Sequence, residues 1–307
     1  MWRFAGLVLG VLVLAMVGLI VWGGMPDPAA RPAAGPRAAI LTAAAPAPAA
    51  RYDCRPAPAF AAAAAANGQS LATAPWSVFH RAEMGWAVYA PLAAHEIGTG
   101  CAADAPGFAE ALADWQRGHA LAPTGIMDEA TLDALRVVWM RRRPFVIQTR
   151  GGVCPPGADP GQLAFARPEE GYGGRPIQLT AGTLSAYRSL VAAARAESPE
   201  IRADPALLRI VSGFRPSDLE DAKCLMLGGC GTAARANCSA HRTGTAMDLY
   251  LGAAPGFGPA SADDANRLFL ARTPAYAWLV RNAARFGFAP YPFEPWHWEW
   301  TGQAPGS

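Results

Sequence analysis

Ser239-Ala240-His241-Arg242-Thr243-Gly244-Thr245-Ala246-Met247-Asp248-Leu249-Tyr250-Leu251 and Glu294-Pro295-Trp296-His297-Trp298-Glu299-Trp300 decide how the C-terminal part of this chain folds. Successive side chains of a strand point to opposite sides. From Ala246 to Leu251 that places Ala246, Asp248 and Tyr250 on one face and Met247, Leu249 and Leu251 on the other. His297 and Glu299 stand in the same relation to Trp298 and Trp300. Two such strands side by side would bring Asp248 and His297 to a common edge. Gly244 allows the tight bend through which the preceding loop delivers His241. Pro295 biases Glu294 toward an extended conformation and removes one backbone donor at the turn.

Two imidazoles and a carboxylate are the ligands of a hydrolytic zinc site with one position left open, and Glu294, just before His297, is a spare base. One Zn²⁺ ion on His241, Asp248 and His297 keeps a net positive charge, which brings the pKa of a water it holds toward about 7. Glu294 would take that water's proton and pass it to a departing amine. Glu299 is expected to be at most a partner of the His297 ring. Two other readings stand beside this one. Cys224, Cys230, Cys238 and His241 offer ligand types for a structural zinc site, although not in the usual paired-cysteine spacing. A histidine among tryptophans can also be a packed residue. His80, His95 and His119 have no recognisable partners and read as surface or packing residues.

Working outward, the segment 177–307 predicts an α+β fold: a small antiparallel sheet with flanking helices that carries the zinc site. Thr180 caps a helix with Leu184, Tyr187, Val191 and Ala194 on one side. Leu207 to Val211 reads as a buried strand leading into Ser212-Gly213-Phe214-Arg215. Ser261, with Asp264 as its capping-box partner, opens another helix. Thr273 and Pro274 open a further one, which Gly287 ends. Residues 144–176, rich in glycine and proline, read as a linker. Residues 71–143 predict a small helical domain. There Phe108, Ala111, Leu112, Trp115 and Gln116 share one helix face, and Asp128 caps a second helix that buries Leu132, Leu135 and Val138. Residues 25–70 are dominated by alanine and proline and read as a semi-rigid tether. Within it Ala61 to Ala66 could form a short helix, and Cys54 argues that part is pinned to a folded domain.

Phe4 to Trp22 contains no charge, and nineteen residues at 1.5 Å rise span roughly 28 Å, close to a bilayer's hydrocarbon thickness. Residues 1–24 therefore read as a membrane anchor, in preference to a cleaved signal, with the chain exported. The six cysteines suit disulfides in an oxidising compartment, with fifteen possible pairings. Cys224 and Cys230 are near enough in sequence to close a small loop. A net charge of +2 implies neither nucleic acid nor an acidic partner, and the one tight basic run, Arg141 to Arg143, reads as a solvated helix end.

Five motifs in order complete the picture: Ser-Gly-Phe-Arg at 212–215, Ser-x-His-x-x-Gly-x-Ala-x-Asp at 239–248, Trp-Leu-x-x-Asn-Ala at 278–283, Phe-Gly-Phe at 286–288 and Glu-Pro-Trp-His-Trp at 294–298. Over about the last 130 residues the chain resembles the VanY-type D-alanyl-D-alanine carboxypeptidases, zinc peptidases that trim peptidoglycan stem peptides. The resemblance implies zinc on His241, Asp248 and His297, with Glu294 as general base. It also implies an Arg215 that faces the substrate and stabilises charge on the scissile carbonyl, and a Ser239 that lines the substrate pocket. Phe108 to Arg136, with Trp115-Gln116, Gly125 and Thr131-Leu132, resembles the second half of a small helical peptidoglycan-binding module. Two departures bear on substrate choice: Glu220 stands where many relatives carry glutamine, and Cys224 to Cys238 looks like an elaborated loop. The expectation is a carboxypeptidase of the cell envelope, anchored in the cytoplasmic membrane through residues 4–22 with its folded part on the periplasmic side. Its partners would be stem peptides and not nucleic acid. The alternatives are an L,D-carboxypeptidase or D,D-dipeptidase on wall peptides, or a non-catalytic wall-binding protein.

Overall fold

Capping residues set where the helices begin. In the computed structural model, which describes residues 54, 58–77, 79, 81–216 and 238–302, Asp128, Thr180 and Thr273 each accept a first-turn amide, from Thr131, Thr183 and Tyr276. Asp263, not Ser261, caps the helix that begins at Asp264, so the predicted start moves by two residues. Asp263 is the side chain that reaches the first free amide, that of Ala265.

The N-terminal half runs α1 (Ala61–Thr73), β1 (Pro75–Trp76), β2 (Glu83–Met84), α2 (Ala90–Glu96), α3 (Pro106–Gly118), α4 (Glu129–Arg142) and α5 (Pro144–Gln148), with β1 and β2 antiparallel. α1 takes over the end of the expected tether. Its Ala63 and Ala64 pack on Ala109 of α3. The buried Asn67 amide donates to the Gly125 carbonyl and accepts the Met127 N–H. A disulfide from Cys54 to Cys101 adds a covalent tie. The residues behind the peptidoglycan-binding resemblance hold the helices together: the Gln116 side chain accepts the Gly125 amide and donates to Ile126 O and Thr131 Oγ1.

The C-terminal half runs β3 (Leu163–Phe165), β4 (Gln178–Thr180), α6 (Ala181–Glu197), α7 (Pro199–Ala203), β5 (Ile210–Ser212), β6 (Ala246–Leu249), α8 (Asp264–Ala271), α9 (Pro274–Asn282), β7 (Phe288–Tyr291) and β8 (Glu294–Trp300). β3 and β4 form an antiparallel pair, and β5, β6, β8 and β7 lie in that order in an antiparallel sheet. The architecture is thus α+β with small antiparallel sheets. Two strands are shorter than their sequence pattern. Leu208 takes a left-handed conformation (φ 66°), so strand geometry starts only at Ile210. β6 stops at Leu249, although Tyr250 still exchanges backbone bonds with Leu208 and Arg209.

One hydrophobic cluster runs from Trp86, Phe108 and Leu135 to Leu179, Met247 and Trp298, and all described residues fall in one compact unit. The connecting segment 144–176, expected to hold some ordered turns, carries α5 and β3, and its Cys154 is disulfide-bonded to Cys238. Among the described residues no helix is long and apolar enough to cross a membrane. The anchor expected over residues 4–22, His80, Glu220 and the Cys224–Cys230 loop all lie outside the described residues.

Candidate metal centre

β6 and β8 pair with Asp248 directly opposite His297. His241 arrives from a 3₁₀ turn, Ala240–Thr243, which opens with the Ser239 hydroxyl accepting the His241 N–H and closes at Gly244 with φ 66°. That left-handed conformation is open to glycine at no steric cost. The three side chains are buried, and their inner atoms form a nearly equilateral triangle. His297 Nδ1 is 3.0 Å from Asp248 Oδ1, His241 Nε2 is 3.2 Å from His297 Nδ1, and His241 Nε2 is 3.3 Å from Asp248 Oδ1.

Each histidine is oriented from behind. His241 Nδ1 lies 2.7 Å from the Gly213 carbonyl. A carbonyl can only accept, so Nδ1 carries the proton and Nε2 turns a lone pair inward. A Cβ on Gly213 would sit 2.6 Å from the Gln178 carbonyl, so this close approach requires glycine. His297 Nε2 lies 3.3 Å from Glu299 Oε1. The carboxylate likewise makes Nε2 the donor and leaves the Nδ1 lone pair facing Asp248. Three acceptors therefore converge in a buried space with their donors committed elsewhere, an arrangement that a cation holds together. The crowding of these groups also shifts their pKa values in the absence of an ion. Burial works to lower the His297 pKa, but Asp248 and Glu299 outweigh it and raise it to about 9. Burial works to raise the Asp248 pKa, but His241 and His297 hold it well below the carboxylate range. His241, Asp248 and His297 are the residues that could hold a metal ion here.

Glu299, 1% exposed, is an ion-pair partner of Arg143, 6% exposed. Burial would raise its pKa, but Arg143 first and His297 next bring it down to about 2. The reading of Arg141 to Arg143 as a solvated helix end is thus corrected at Arg143. Its position at the end of α4 turns the side chain toward β8 and away from solvent. Sequence reasoning missed this contact. The available signal was a carboxylate among tryptophans on a buried strand, since a buried charge needs a partner.

Glu294 is at the rim of the triangle, its side chain 30% exposed and Oε2 3.9 Å from His297 Nδ1. Arg215 donates from Nη2 to Ser239 Oγ at 3.1 Å, so these two are also brought together beside His241. The structural-zinc alternative loses a ligand, because Cys238 is disulfide-bonded. His119 stacks on Trp115 and His95 is half-buried on α2, so both are packing residues.

The family model described as VanY, D-alanyl-D-alanine carboxypeptidase, matches residues 230–303. This stretch contains Ser239, His241, Asp248, Glu294 and His297, whereas Arg143 and Arg215 lie before it. No curated protein and no solved structure gives a match.

Proposed function

With a VanY-type D-alanyl-D-alanine carboxypeptidase domain at residues 230–303, we propose that this protein is a zinc-dependent peptidase that removes the terminal D-alanine from peptidoglycan stem peptides. The observation that carries the zinc assignment is the triangle of inward lone pairs. Ligands at 2.0–2.1 Å in a tetrahedron stand about 3.3–3.4 Å apart, and the three edges here are 3.0, 3.2 and 3.3 Å. Two nitrogens and one oxygen suit zinc, and three protein ligands leave a fourth position open. When bound, the ion supplies Lewis acidity, polarising the scissile carbonyl and favouring ionisation of the attacking water.

This chain's own residues do the rest. The half-exposed Glu294 carboxylate removes a proton from water as the oxygen attacks the carbonyl carbon, and returns it to the amine nitrogen as the C–N bond breaks. Arg215, held by Ser239, faces the carbonyl oxygen and stabilises the charge that develops there. Ser239 Oγ already accepts from Arg215 and from the His241 amide. Its own proton is left to donate to the peptide. The disulfides at Cys54–Cys101 and Cys154–Cys238 support a protein working in an oxidising compartment. With the apolar stretch 4–22, that favours the periplasmic face of the cytoplasmic membrane.

The test is metal content together with D-alanine release from defined tetra- and pentapeptides, for wild type and Glu294→Gln. Zinc near one equivalent in both proteins is expected, with release from the pentapeptide slowed about 10²–10⁴-fold in the variant. Absence of zinc from wild type, or equal release by both proteins, would overturn the reading. Loss of two residues at once, or cleavage of the tetrapeptide alone, would assign the dipeptidase or L,D-specific alternative.

A further inference from the structure

We propose that Arg143, at the end of α4 and outside the carboxypeptidase-family segment, is a positioning residue for the metal ligand His297, acting through Glu299. The inference rests on the metal-centre reading above. Arg143 Nε donates to Glu299 Oε1 at 2.9 Å, and Nη2 donates to the same oxygen. The amide of Phe145, one of the unpaired first-turn donors of α5, reaches Glu299 Oε2 at 3.0 Å. Both carboxylate oxygens are thus anchored from the helical half of the molecule, and Oε1 shares its acceptor capacity with His297 Nε2 at 3.3 Å.

The same guanidinium lies over the Tyr291 ring, 3.9 Å from its centroid. That ring in turn meets the His297 imidazole edge-on at 5.9 Å between centroids. The imidazole is therefore restrained by the Glu299 carboxylate at Nε2 and by Tyr291 against the ring, and Arg143 touches both restraints. A buried carboxylate without its cation would have to move or change its bonding, and the ring it holds would be free to turn. The planar fork of arginine matters, because a lysine ammonium supplies charge without two neighbouring donors fixed on one oxygen or a stacking face.

The experiment measures zinc affinity of the full chain by competition with a chromogenic chelator. It compares wild type, Arg143→Ala, Arg143→Lys, Glu299→Gln and the Arg143→Ala/Glu299→Gln double variant, with apo-protein melting beside each. Arg143→Ala and Glu299→Gln are each expected to weaken zinc binding about 10–100-fold, with Arg143→Lys in between. The double variant should bind no worse than the weaker single one, as expected for residues acting in series. Imidazole ¹⁵N shifts of apo His297, recorded above the pH at which the ring loses its second proton, should move from one Nε2–H tautomer toward a mixture in Arg143→Ala. If Arg143→Ala does not fold, Arg143→Lys alone must show the weakened binding in a protein that melts cooperatively. Wild-type zinc affinity in the folded Arg143 variants, whatever their melting temperature, would overturn the proposal, as would multiplying losses in the double variant. Failure of the wild type itself to bind zinc would instead refute the metal centre, and the inference with it.

Discussion

At the residue scale, the decisive contrast is between histidines that look alike in sequence. His241 and His297 each have one ring nitrogen tied to a fixed acceptor and the other turned toward Asp248. His95 has no such partners: burial, first of all, holds its pKa below the ordinary imidazole value, against the upward pull of Glu96. A histidine with a depressed folded pKa contributes stability above the unfolded value of about 6.5, and that stability is lost as pH falls through the folded pKa. Thermal melts should therefore decline below about pH 6.5, and His95→Gln should remove part of the decline while leaving melting above pH 7.5 little changed. An unaltered pH profile for the variant would show that other groups carry the acid sensitivity. The residue types of the candidate site were legible in sequence. The direction of each ring was not, because it depends on a carbonyl and a carboxylate brought up by other strands.

At the element scale, local chemistry predicted helix starts well. Asp128, Thr180 and Thr273 cap where expected because a cap needs only its own first turn. Replacing Asp128 with alanine should cost about 1 kcal/mol, read from urea unfolding with an unchanged slope. A loss below about 0.3 kcal/mol would show that tertiary packing alone sets that helix. Strands were less legible. The alternation from Ala246 to Leu251 is real, yet the regular strand ends at Leu249, and Leu207 to Val211 is interrupted by the left-handed Leu208. Strand ends depend on a neighbour's register, which a single segment does not encode. Gly213 shows the opposite case, an identity fixed by a close approach from β4 that only the fold reveals.

At the scale of the whole molecule, the helical half is part of the structure that supports the site, joined to the family segment by a shared core and buried ion pairs. Besides Arg143 with Glu299, Arg267 of α8 donates to Glu83 Oε2 at 2.8 Å and to the Tyr89 hydroxyl at 2.7 Å, across the same boundary. The Cys54–Cys101 disulfide closes a separation of 47 residues, for which the loop-entropy relation gives about 4 kcal/mol. The Cys54→Ser/Cys101→Ser variant should melt lower by that order, in one transition shared by near-UV signal and D-alanine release. Two separate transitions would contradict the continuous core. Sequence by itself determined the residues of the candidate site, three of the helix caps, the α+β class and the apolar and alanine-proline character of the N-terminus, because each depends on residue type and short spacing. Only the tertiary structure fixed the register that puts Asp248 directly opposite His297, and decided that Cys238 pairs with Cys154 and that Arg143 is buried against Glu299. Those contacts join residues 49, 84 and 156 positions apart, and chain periodicity carries no information over such separations; packing and the pairing of buried charge do.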